Sequence, residues 1–506
     1  MSRAGGSARA AARVRKGVAY LARPALLARK LAWVWRRRHA MPAYRAALAR
    51  GELLVVPPAP PADVLFTVAT PVYRVAEEHL RAAIASVRAQ TYAQWELVLL
   101  DDASPDPHVA RVLAAAARDE PRIRVLRRAS NGGIAIASDE IVAHSRGELV
   151  AFLDHDDLLH PRALEVAARA VAADPRADWL FSDEDKLDEA GRHGEPCLKP
   201  AWCRHLLLAF NYVAHLRIVR RSLLARVGGH RTGFEGAQDY DLALRALAAG
   251  ASFRHLPGVL YHWRAVPASM ARLAQAKPAA HAHALRALAE HAAGWPRGGA
   301  VTGEVLLAPA SLFRLRRRPE DGLAVATVAA AGPASAQLVA AVRSCAAEIV
   351  VVAPPGGLGG RALDELLALL QVPGTAVATA RSIHRGVITS SGWVAGDDEV
   401  AGDPWAGLAA GDPGYLNLAL VPGPRALPAV TGWAAWRDRL LAAWEIAPDA
   451  PEAWRLAVGM ARLGLEVVAA PAASVASAQA ASAPSLPPGE LPRYRRRWAR
   501  ELGLSR

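Results

Sequence analysis

Three carboxylates follow a strongly apolar run in residues 149–161, which read LVAFLDHDDLLHP. The apolar run 150–153 predicts a buried strand, and Asp154, Asp156 and Asp157 come directly after it. Crowded negative charge costs free energy unless a cation or solvent compensates it. In open α/β sheets, ligands bind at the carboxyl edge of the strands. The segment therefore indicates a place where a metal could meet a phosphate, and a polar turn before the next helix is the open alternative.

A second segment repeats this design at residues 95–104, which read WELVLLDDAS. An apolar run, 97–100, ends in Asp101 and Asp102, and a small polar turn follows. Two strands of one sheet that end in carboxylate pairs predict a shared crevice. One pair could bind a nucleoside while the other holds a divalent cation against its diphosphate.

The elements that must position these acids alternate regularly. The predicted elements are strands at 66–70, 95–102, 123–126, 149–154 and 178–185, and helices at 77–90, 108–118, 134–145 and from Pro161 onward. Strands separated by single helices predict parallel pairing with right-handed crossovers, and hence an α/β, doubly wound sheet. A later helix at 236–249 carries Asp239 in its first turn and places Asp241 to pair with Arg245.

Composition and charge exclude one class of partner. The chain has 506 residues, 52% of them hydrophobic, which is enough for two or more domains with large cores. The net charge is +14, but residues 1–50 hold 13 of the 61 Lys and Arg and no Asp or Glu. The remaining charges nearly cancel, so the body of the protein is not predicted to bind nucleic acid.

The basic N-terminal tail interleaves Leu, Val and Trp with Arg and Lys, and the proline-rich linker VVPPAPPA follows it at 55–62. This pattern favours an amphipathic segment on an anionic membrane surface, and a solubilising extension is the alternative. No apolar run reaches the length of a transmembrane helix or a signal-peptide core, so we expect a cytoplasmic protein, peripheral on the inner face of the membrane. The three cysteines, Cys197, Cys203 and Cys345, lack zinc-ligand spacing and predict small buried residues.

Residues 66–270 resemble family-2 glycosyltransferases with the GT-A nucleotide-sugar fold. The matching segments are TPVYRVAEEHLRAAIASVRAQTYAQWELVLLDDAS, the NGG at 131–133, FLDHDD, SDEDK, GAQDYDLALR and LYHWR. Six ordered motifs are far more specific than a lone DxD. The resemblance implies transfer of a sugar, with inversion, from a UDP- or dTDP-sugar donor, aided by Mg²⁺ or Mn²⁺.

The resemblance also implies roles for single residues. Asp102 would accept a hydrogen bond from the uracil or thymine NH, Asp156 would bind the metal, and Asp154 would hold the ribose or the metal shell. Asp239 would be the general base, and His262 a further metal ligand or a structural histidine. The other implied residues are Thr70, Pro71, Tyr73, Asp101, Asn131 and Gly132 for the donor, and Asp183, Glu184, Asp185 and Lys186 for the acceptor, where a solvated turn is nearly as plausible. The sequence departs from the family at Arg74, Asp139 and Gln238.

A degenerate second copy of the opening pattern begins near residue 322. The runs LAVATVAA, QLVAAVRSC and EIVVVAPP repeat strand, helix and strand, but Ala353 and Pro354 stand where the first copy has its acids. The pair Asp397 and Asp398 predicts an exposed loop. We expect a tail and linker at 1–62, a GT-A domain at 63–318, a degenerate GT-A-like domain at 319–475 and a basic tail at 476–506. This tandem arrangement resembles bacterial surface-polysaccharide transferases, which implies a lipid-linked or growing glycan acceptor.

Two other functions are open at this point. A glycan-binding or scaffolding pseudo-transferase would predict loss of the strand-end acids, and they are present. A nucleotidyltransferase would need a glycine-rich, basic phosphate loop near the first strand, and TPVYRVAEE does not provide one.

Overall fold

The computed structural model describes residues 41–265, 267–295, 301–308, 311–317, 322–328, 336–353, 357–385, 387–390, 394–396, 401–402, 423–425, 433–476 and 493–494. Residues Leu53–Arg495 form one compact unit, and Met1–Glu52 with Arg496–Arg506 form another. The described part of the second unit contains a helix over residues 41–49. Residues 1–40 of the predicted N-terminal tail, most of the C-terminal tail, Pro354, Asp397 and Asp398 lie outside the described residues.

A nine-stranded sheet organises the first half of the main unit, here called the N-terminal sheet region. Its strands are β1 (Phe66–Val72), β2 (Trp95–Asp101), β3 (Ile123–Arg127), β4 (Leu149–Phe152), β5 (Leu158–Leu159), β6 (Trp179–Leu187), β7 (His193–Cys197), β8 (Arg217–Arg220) and β9 (Phe253–Arg264). Its helices are α1 (Glu77–Arg88), α2 (Pro107–Asp119), α3 (Ile134–His144), α4 (Ala163–Ala173), α5 (Arg204–Ala209), α6 (Arg221–Val227), α7 (Gln238–Ala248) and α8 (Pro267–Ala293). The hairpin β10 (Val301–Leu307) and β11 (Leu312–Arg317) follows.

The strand order is β3-β2-β1-β4-β8-β6-β9-β5, with β7 beside β6. Strands β1, β2, β3 and β4 pair in parallel, as the alternating pattern predicts, whereas β8 runs antiparallel to β4 and β6. The order reverses between β1 and β4, because the chain builds outward from β1 on one side and resumes at β4 on the other. This reversal is the switch point at which open α/β sheets bind their ligands.

Alternate residues of the strands bury on opposite faces of the sheet. Along β2, Leu97 and Leu99 join one apolar cluster, which contains residues of α1, α2 and α4. Val98 and Leu100 join the other, which contains residues of α3, α5 and α7. A strand that is apolar on both faces needs a helical layer on each side, so the predicted doubly wound GT-A architecture is confirmed.

A seven-stranded sheet organises the second half, here called the C-terminal sheet region. Its elements are β12 (Val325–Thr327), α9 (Ala336–Arg343), β13 (Ile349–Val352), α10 (Gly360–Leu370), β14 (Thr375–His384), β15 (Val387–Ser390), β18 (Gly423–Arg425), β19 (Trp433–Trp436), α11 (Arg437–Ile446), a 3₁₀ turn (Glu452–Trp454), α12 (Arg455–Arg462) and β20 (Glu466–Ala476). The short strands β16 (Val394–Gly396), β17 (Ala401–Gly402) and β21 (Arg493–Tyr494) form a separate small sheet.

The strand, helix and strand predicted for the degenerate second copy of the opening pattern are present. Strand β12 pairs with β13 in parallel, with Ala326 opposite Val350, and α9 lies between them along the chain. Strand β13 then pairs antiparallel with β19, which the opening pattern does not contain. The predicted domain boundaries, including the one at 318 and 319, remain predictions. Among the described residues, no helix is both long and apolar enough to span a membrane.

Candidate active site

The loops that follow β1 and β4 meet at the switch point. Thr70 and Pro71 are buried near the end of β1, and Tyr73 is 37% exposed just beyond it. The Nδ1 atom of His155 lies 3.0 Å from the carbonyl oxygen of Pro71, so the acidic loop is tied to the end of the neighbouring strand. Arg74, one of the departures from the family, has a φ of 51°, and this strained loop conformation is common at functional sites.

Asp102 holds the NGG loop in place. Its two carboxylate oxygens accept hydrogen bonds from the backbone N–H groups of Gly132 and Gly133, each at 2.9 Å. The Nε atom of Arg128 lies 3.1 Å from the same carboxylate, and the Asn131 side chain donates to the Asp102 carbonyl oxygen at 3.2 Å. A carboxylate has about four acceptor positions, so about one remains for a ligand.

Asp101 lies one residue earlier and is also buried. Its Oδ1 atom accepts a hydrogen bond from the backbone N–H of Ser104 at 2.8 Å. Its Oδ2 atom and the hydroxyl of Thr70 are buried and lack a hydrogen-bond partner among the described residues, although Arg127 Nε approaches Oδ2 to 3.4 Å. Unsatisfied buried polar atoms are rare, and two of them near adjacent strand ends favour a ligand here.

The acids after β4 crowd together. Asp157 is fully buried, and burial together with the charges of Asp154 and Asp156 raises its pKa well above the ordinary value. Burial also raises the pKa of Asp156; His155 opposes this shift and Asp154 adds to it. Raised carboxyl pKa values show that the ionised forms lack compensation in the protein alone, which a bound cation would supply.

Strand β9 braces this loop from the neighbouring part of the sheet. The Tyr261 hydroxyl donates a hydrogen bond of 2.6 Å to Asp157, and it accepts one of 3.3 Å from the backbone N–H of Asp154. The Arg264 backbone N–H donates to Asp157 at 2.7 Å, and its guanidinium donates to the Asp156 carbonyl oxygen at 2.9 Å. Asp157 is therefore a structural anchor, and it leaves Asp154 and Asp156 as the acids available to a ligand.

His262, the next residue of β9, belongs to a cluster with Asp185 and His193. The Nδ1 atoms of His262 and His193 lie 2.7 Å and 2.9 Å from the two carboxylate oxygens of Asp185. One potential ligand atom from each residue lies within 4.8 Å of the other two, so the three residues could hold a metal ion. Burial opposes ionisation of Asp185, but the hydrogen bonds from both histidines outweigh it and lower its pKa. With Nδ1 engaged, His262 presents Nε2 to a metal.

The predicted acceptor residues separate into different environments. Asp183 is fully buried and accepts hydrogen bonds from the Lys199 backbone N–H at 2.8 Å and from Gly258 at 3.2 Å, so it secures the bulged pairing of β6 with β9. Glu184 pairs with the Lys199 ammonium at 3.2 Å. Lys186 pairs with Glu195 at 2.9 Å and lies over the ring of Trp263. Of the four residues, only Asp185 joins a potential metal cluster.

Asp239 lies in the first turn of α7, as its position in the sequence predicts. Its Oδ2 atom is 3.5 Å from Nη1 of Arg217, and the Arg217 guanidinium lies over the ring of Phe152 at the end of β4. Arg217 thus links the candidate base to the strand that carries the acids. Asp241 pairs with Arg245 at 2.9 Å, as predicted, and also with Arg231, so its charge is compensated internally.

A small cavity of about 200 Å³ opens beside Asp239. Its walls come from the chain before β8, the start of α7, α8 and the β10–β11 hairpin, and include Asn211, Tyr240, His281, Ser311 and Phe313. The side-chain oxygen of Asn211 is buried and has no hydrogen-bond partner among the described residues. The cavity therefore presents a carboxylate and an unsatisfied amide oxygen, which suits a ligand with several hydroxyl groups.

Sequence reasoning missed Arg217, His193 and Tyr261. Arg217 had a weak signal, because it places a charge among the apolar residues at the start of β8. Tyr261 had none, because Asp157 is distant in the sequence, and His193 meets Asp185 through the pairing of β6 with β7, which the sequence analysis did not predict. The other departures have local roles: Asp139 binds the loop at His230 through hydrogen bonds of 2.7 to 3.0 Å, and Gln238 accepts one from Gly236 at 2.8 Å.

Comparisons with known proteins place these residues in context. The model of the family Glycosyl transferase family 2 matches residues 67–228. One relative, EpsE of Bacillus subtilis, is named as a glycosyltransferase. It is 36% identical to this chain over 191 residues, which cover 37% of this chain and 69% of EpsE. The O-antigen biosynthesis protein RfbC of Myxococcus xanthus is 41% identical over 261 residues, which cover 52% of this chain and 20% of RfbC.

Among solved structures, S. aureus TarS 1–349 in complex with UDP-GlcNAc is similar over 46% of this chain and 68% of that chain, at 19% identity and a TM-score of 0.40. The chain spans a quarter or less of the length of several curated relatives that it matches.

Proposed function

Because the chain belongs to glycosyl transferase family 2, we propose that it transfers a sugar from a UDP- or dTDP-sugar to a glycan acceptor, with inversion at the anomeric carbon. The observation that supports this proposal most directly is the group of acids after β4, at the point where the strand order reverses, in which the pKa values of Asp156 and Asp157 are raised. In this reaction the acceptor oxygen attacks the anomeric carbon and the nucleoside diphosphate leaves from the opposite face.

A divalent cation fits the residues at the strand end. Asp154 and Asp156 would hold it, with Nε2 of His262 as a further ligand, and carboxylate oxygens suit Mg²⁺ or Mn²⁺. The bound ion would neutralise charge on the leaving diphosphate. Asp185, with its hydrogen bond of 2.7 Å to Nδ1 of His262, would orient the imidazole.

The donor and acceptor would occupy opposite ends of this crevice. Asp102 has about one acceptor position left for the NH of a uracil or thymine, and Thr70 and Asp101 contribute the unsatisfied atoms beside it. Asp239 would accept the proton of the attacking hydroxyl, because it is the carboxylate of the small cavity.

Growing or lipid-linked surface polysaccharide is the proposed acceptor. RfbC is named for O-antigen biosynthesis, and the similarity to it extends over half of this chain. The basic N-terminal tail would hold the enzyme on the anionic inner face of the membrane, where such acceptors are assembled.

The test incubates purified protein with Mn²⁺ and a panel of UDP- and dTDP-sugars, and measures release of the nucleoside diphosphate with and without glycan acceptors. We expect metal-dependent turnover of at least one donor and loss of metal-dependent donor binding in Asp156→Ala. Asp157→Asn is the comparison variant: it changes the anchor to Tyr261 and Arg264 but neither proposed metal ligand, so it shows how much of the loss comes from disturbing the loop. Absence of both turnover and metal-dependent nucleotide binding would contradict the transferase activity and favour the scaffolding alternative.

The membrane role has its own test. We expect deletion of residues 1–50 to release the protein from liposomes that contain anionic lipid, since each basic residue near such a surface contributes about 1 kcal/mol. Sedimentation with anionic and neutral liposomes measures this, and equal binding of the full chain to both kinds would contradict it.

A further inference from the structure

A second, larger cavity lies between the N-terminal and C-terminal sheet regions. Its volume is about 440 Å³, within the range of about 300 to 1,000 Å³ that is typical of ligand sites. One wall is formed by α5 and the β10–β11 hairpin, and the facing wall is formed by α10 of the C-terminal sheet region. The residues used below are Trp295, Thr302, Phe313, Arg314, Arg361 and Glu365.

The side chains of this cavity have the chemistry that binds sugars. Trp295 offers aromatic surface on which the C–H face of a pyranose can pack, and its indole also carries a polar N–H. Arg314 and Arg361 offer several N–H donors in one plane, and Glu365 offers acceptors, so together they can satisfy adjacent hydroxyl groups. An apolar ligand would desolvate these charged groups without giving them hydrogen-bond partners.

The cavity adjoins the site of reaction through one side chain. Phe313 lines both this cavity and the small cavity that contains Asp239. Its ring stacks on Tyr240, the residue after Asp239, with ring centres 6.0 Å apart. The two cavities therefore adjoin at Phe313, and a chain of sugars with its terminal hydroxyl at Asp239 would continue towards the larger cavity.

The contacts between the two sheet regions fix the facing wall. The Arg204 backbone N–H donates to Glu466 at 3.0 Å, and its guanidinium donates to the Pro373 carbonyl oxygen. Nε2 of His205, which lines the cavity, lies 2.7 Å from the hydroxyl oxygen of Thr375. These buried contacts hold α5 against the start of β14, which follows α10 directly in the chain.

From this arrangement we infer that the larger cavity binds an internal segment of the acceptor glycan, away from the reacting hydroxyl. The C-terminal sheet region then acts as an acceptor-binding wall, although its copy of the opening pattern has Ala353 in place of an acid. The direction in which the glycan runs rests on the proposed function, whereas the binding of the glycan rests on the cavity alone.

The experiment measures binding and transfer with two oligosaccharide series, acidic hyaluronan and neutral chitin fragments of two to eight sugars. Calorimetry without donor should show that affinity in at least one series rises with length and that Arg361→Ala removes this gain. In transfer, the ratio of KM for the eight-sugar to the two-sugar acceptor should rise about tenfold or more in Arg361→Ala, as expected for a lost hydrogen bond to a charged group. Thr302→Trp, which fills the cavity from the exposed face of the hairpin, should also remove the gain in affinity with length and raise the KM ratio.

Arg343→Ala is the matched control, because Arg343 is exposed on α9, pairs with Glu445 and does not line either cavity. It should leave both measurements at the wild-type value. Length-independent binding, or equal behaviour of Arg361→Ala and Arg343→Ala, would overturn the inference. Length-dependent binding without turnover of any donor would instead sustain the cavity assignment and refute the proposed transferase activity.

Discussion

Asp102 shows how a residue can serve structure and ligand with one carboxylate. It accepts backbone hydrogen bonds from Gly132 and Gly133 and faces Arg128, so the NGG loop depends on its two oxygens. Gly133 precedes α3 with a φ of 83°, a conformation that glycine adopts readily. The carboxylate therefore sets the position of the loop before any donor binds.

We predict that Asp102→Asn raises the donor KM about tenfold and lowers the free energy of unfolding by about 1–3 kcal/mol. An amide presents only one acceptor oxygen, so its NH₂ group would oppose one of the two glycine N–H groups. Donor titration and urea denaturation measure the two effects. Asp139→Asn is the control, because both Asp139 carboxylate oxygens accept the backbone N–H of His230, outside the donor crevice. Equal donor KM values in both variants would reduce Asp102 to a structural role.

Arg217 is the residue-scale link between the strand-end acids and Asp239. We predict that Arg217→Ala lowers kcat at saturating donor and acceptor by about tenfold to hundredfold, because loss of the pair frees Asp239 to rotate away from the acceptor. Arg217→Lys, which keeps the charge, should retain more activity. Asp239→Asn should bind donor and lose kcat by about 10²- to 10⁴-fold. An Arg217→Ala enzyme with normal kcat would show that the pair does not position the base.

At the scale of elements, β9 serves two clusters with consecutive residues. Tyr261 anchors Asp157 and the backbone of Asp154, whereas His262 contacts Asp185 and His193. Tyr261 thus contacts the acidic loop, and the next residue of the same strand contacts the Asp185 cluster. Rigid elements of this kind hold a site more precisely than loops do.

We predict that Tyr261→Phe lowers the free energy of unfolding by about 1–3 kcal/mol and weakens metal-dependent nucleotide binding. The variant leaves the buried Asp157 carboxylate without its hydroxyl donor. Tyr92→Phe is the matched control, since its hydroxyl bonds to the backbone of Ala62 and Val64, away from the acidic loop. It should be destabilised similarly and bind nucleotide normally. Unchanged nucleotide affinity in Tyr261→Phe would show that the contact between Tyr261 and the acidic loop does not contribute to nucleotide binding.

The limits of sequence reasoning follow from these elements. Period and spacing predicted β1 to β4 and their helices, because each strand alternates with its own crossover helix. The same reasoning treated 183–186 as one acceptor group, whereas bulges in the pairing of β6 with β9 turn Asp183 inward and leave Asp185 beside His262. Such contacts join residues more than 70 positions apart, and no local pattern encodes them.

At the scale of the molecule, the two sheet regions meet at buried ionisable groups. His205 lies 2.7 Å from Thr375 and 3.7 Å from Glu466, and Arg204 is adjacent. Burial, and then the charge of Arg204, lower the pKa of His205 to about 3. Burial raises the pKa of Glu466. His205 is therefore neutral at pH 7, and its approach to Glu466 is not an ion pair.

The sign of the pH dependence follows from the direction of these shifts. The pKa of His205 is lower in the folded protein than its ordinary value of 6.5, so its contribution to stability is complete above pH 6.5 and is lost as the pH falls towards about 3. At 1.36 kcal/mol per unit, the loss from pH 6.5 to 5 is about 2 kcal/mol. The raised pKa of Glu466 acts in the opposite direction, because the folded state binds that proton more readily.

We therefore predict that His205→Gln loses about 2 kcal/mol less free energy of unfolding than the wild type between pH 7 and pH 5. Glutamine does not titrate and can still hydrogen-bond to Thr375, so the contact between the sheet regions persists while its protonation penalty disappears. Urea denaturation at the two pH values measures the difference. His144→Gln, at an exposed histidine on α3, should follow the wild-type curve. If His205→Gln follows it as well, protonation at this interface does not control the acid stability of the molecule.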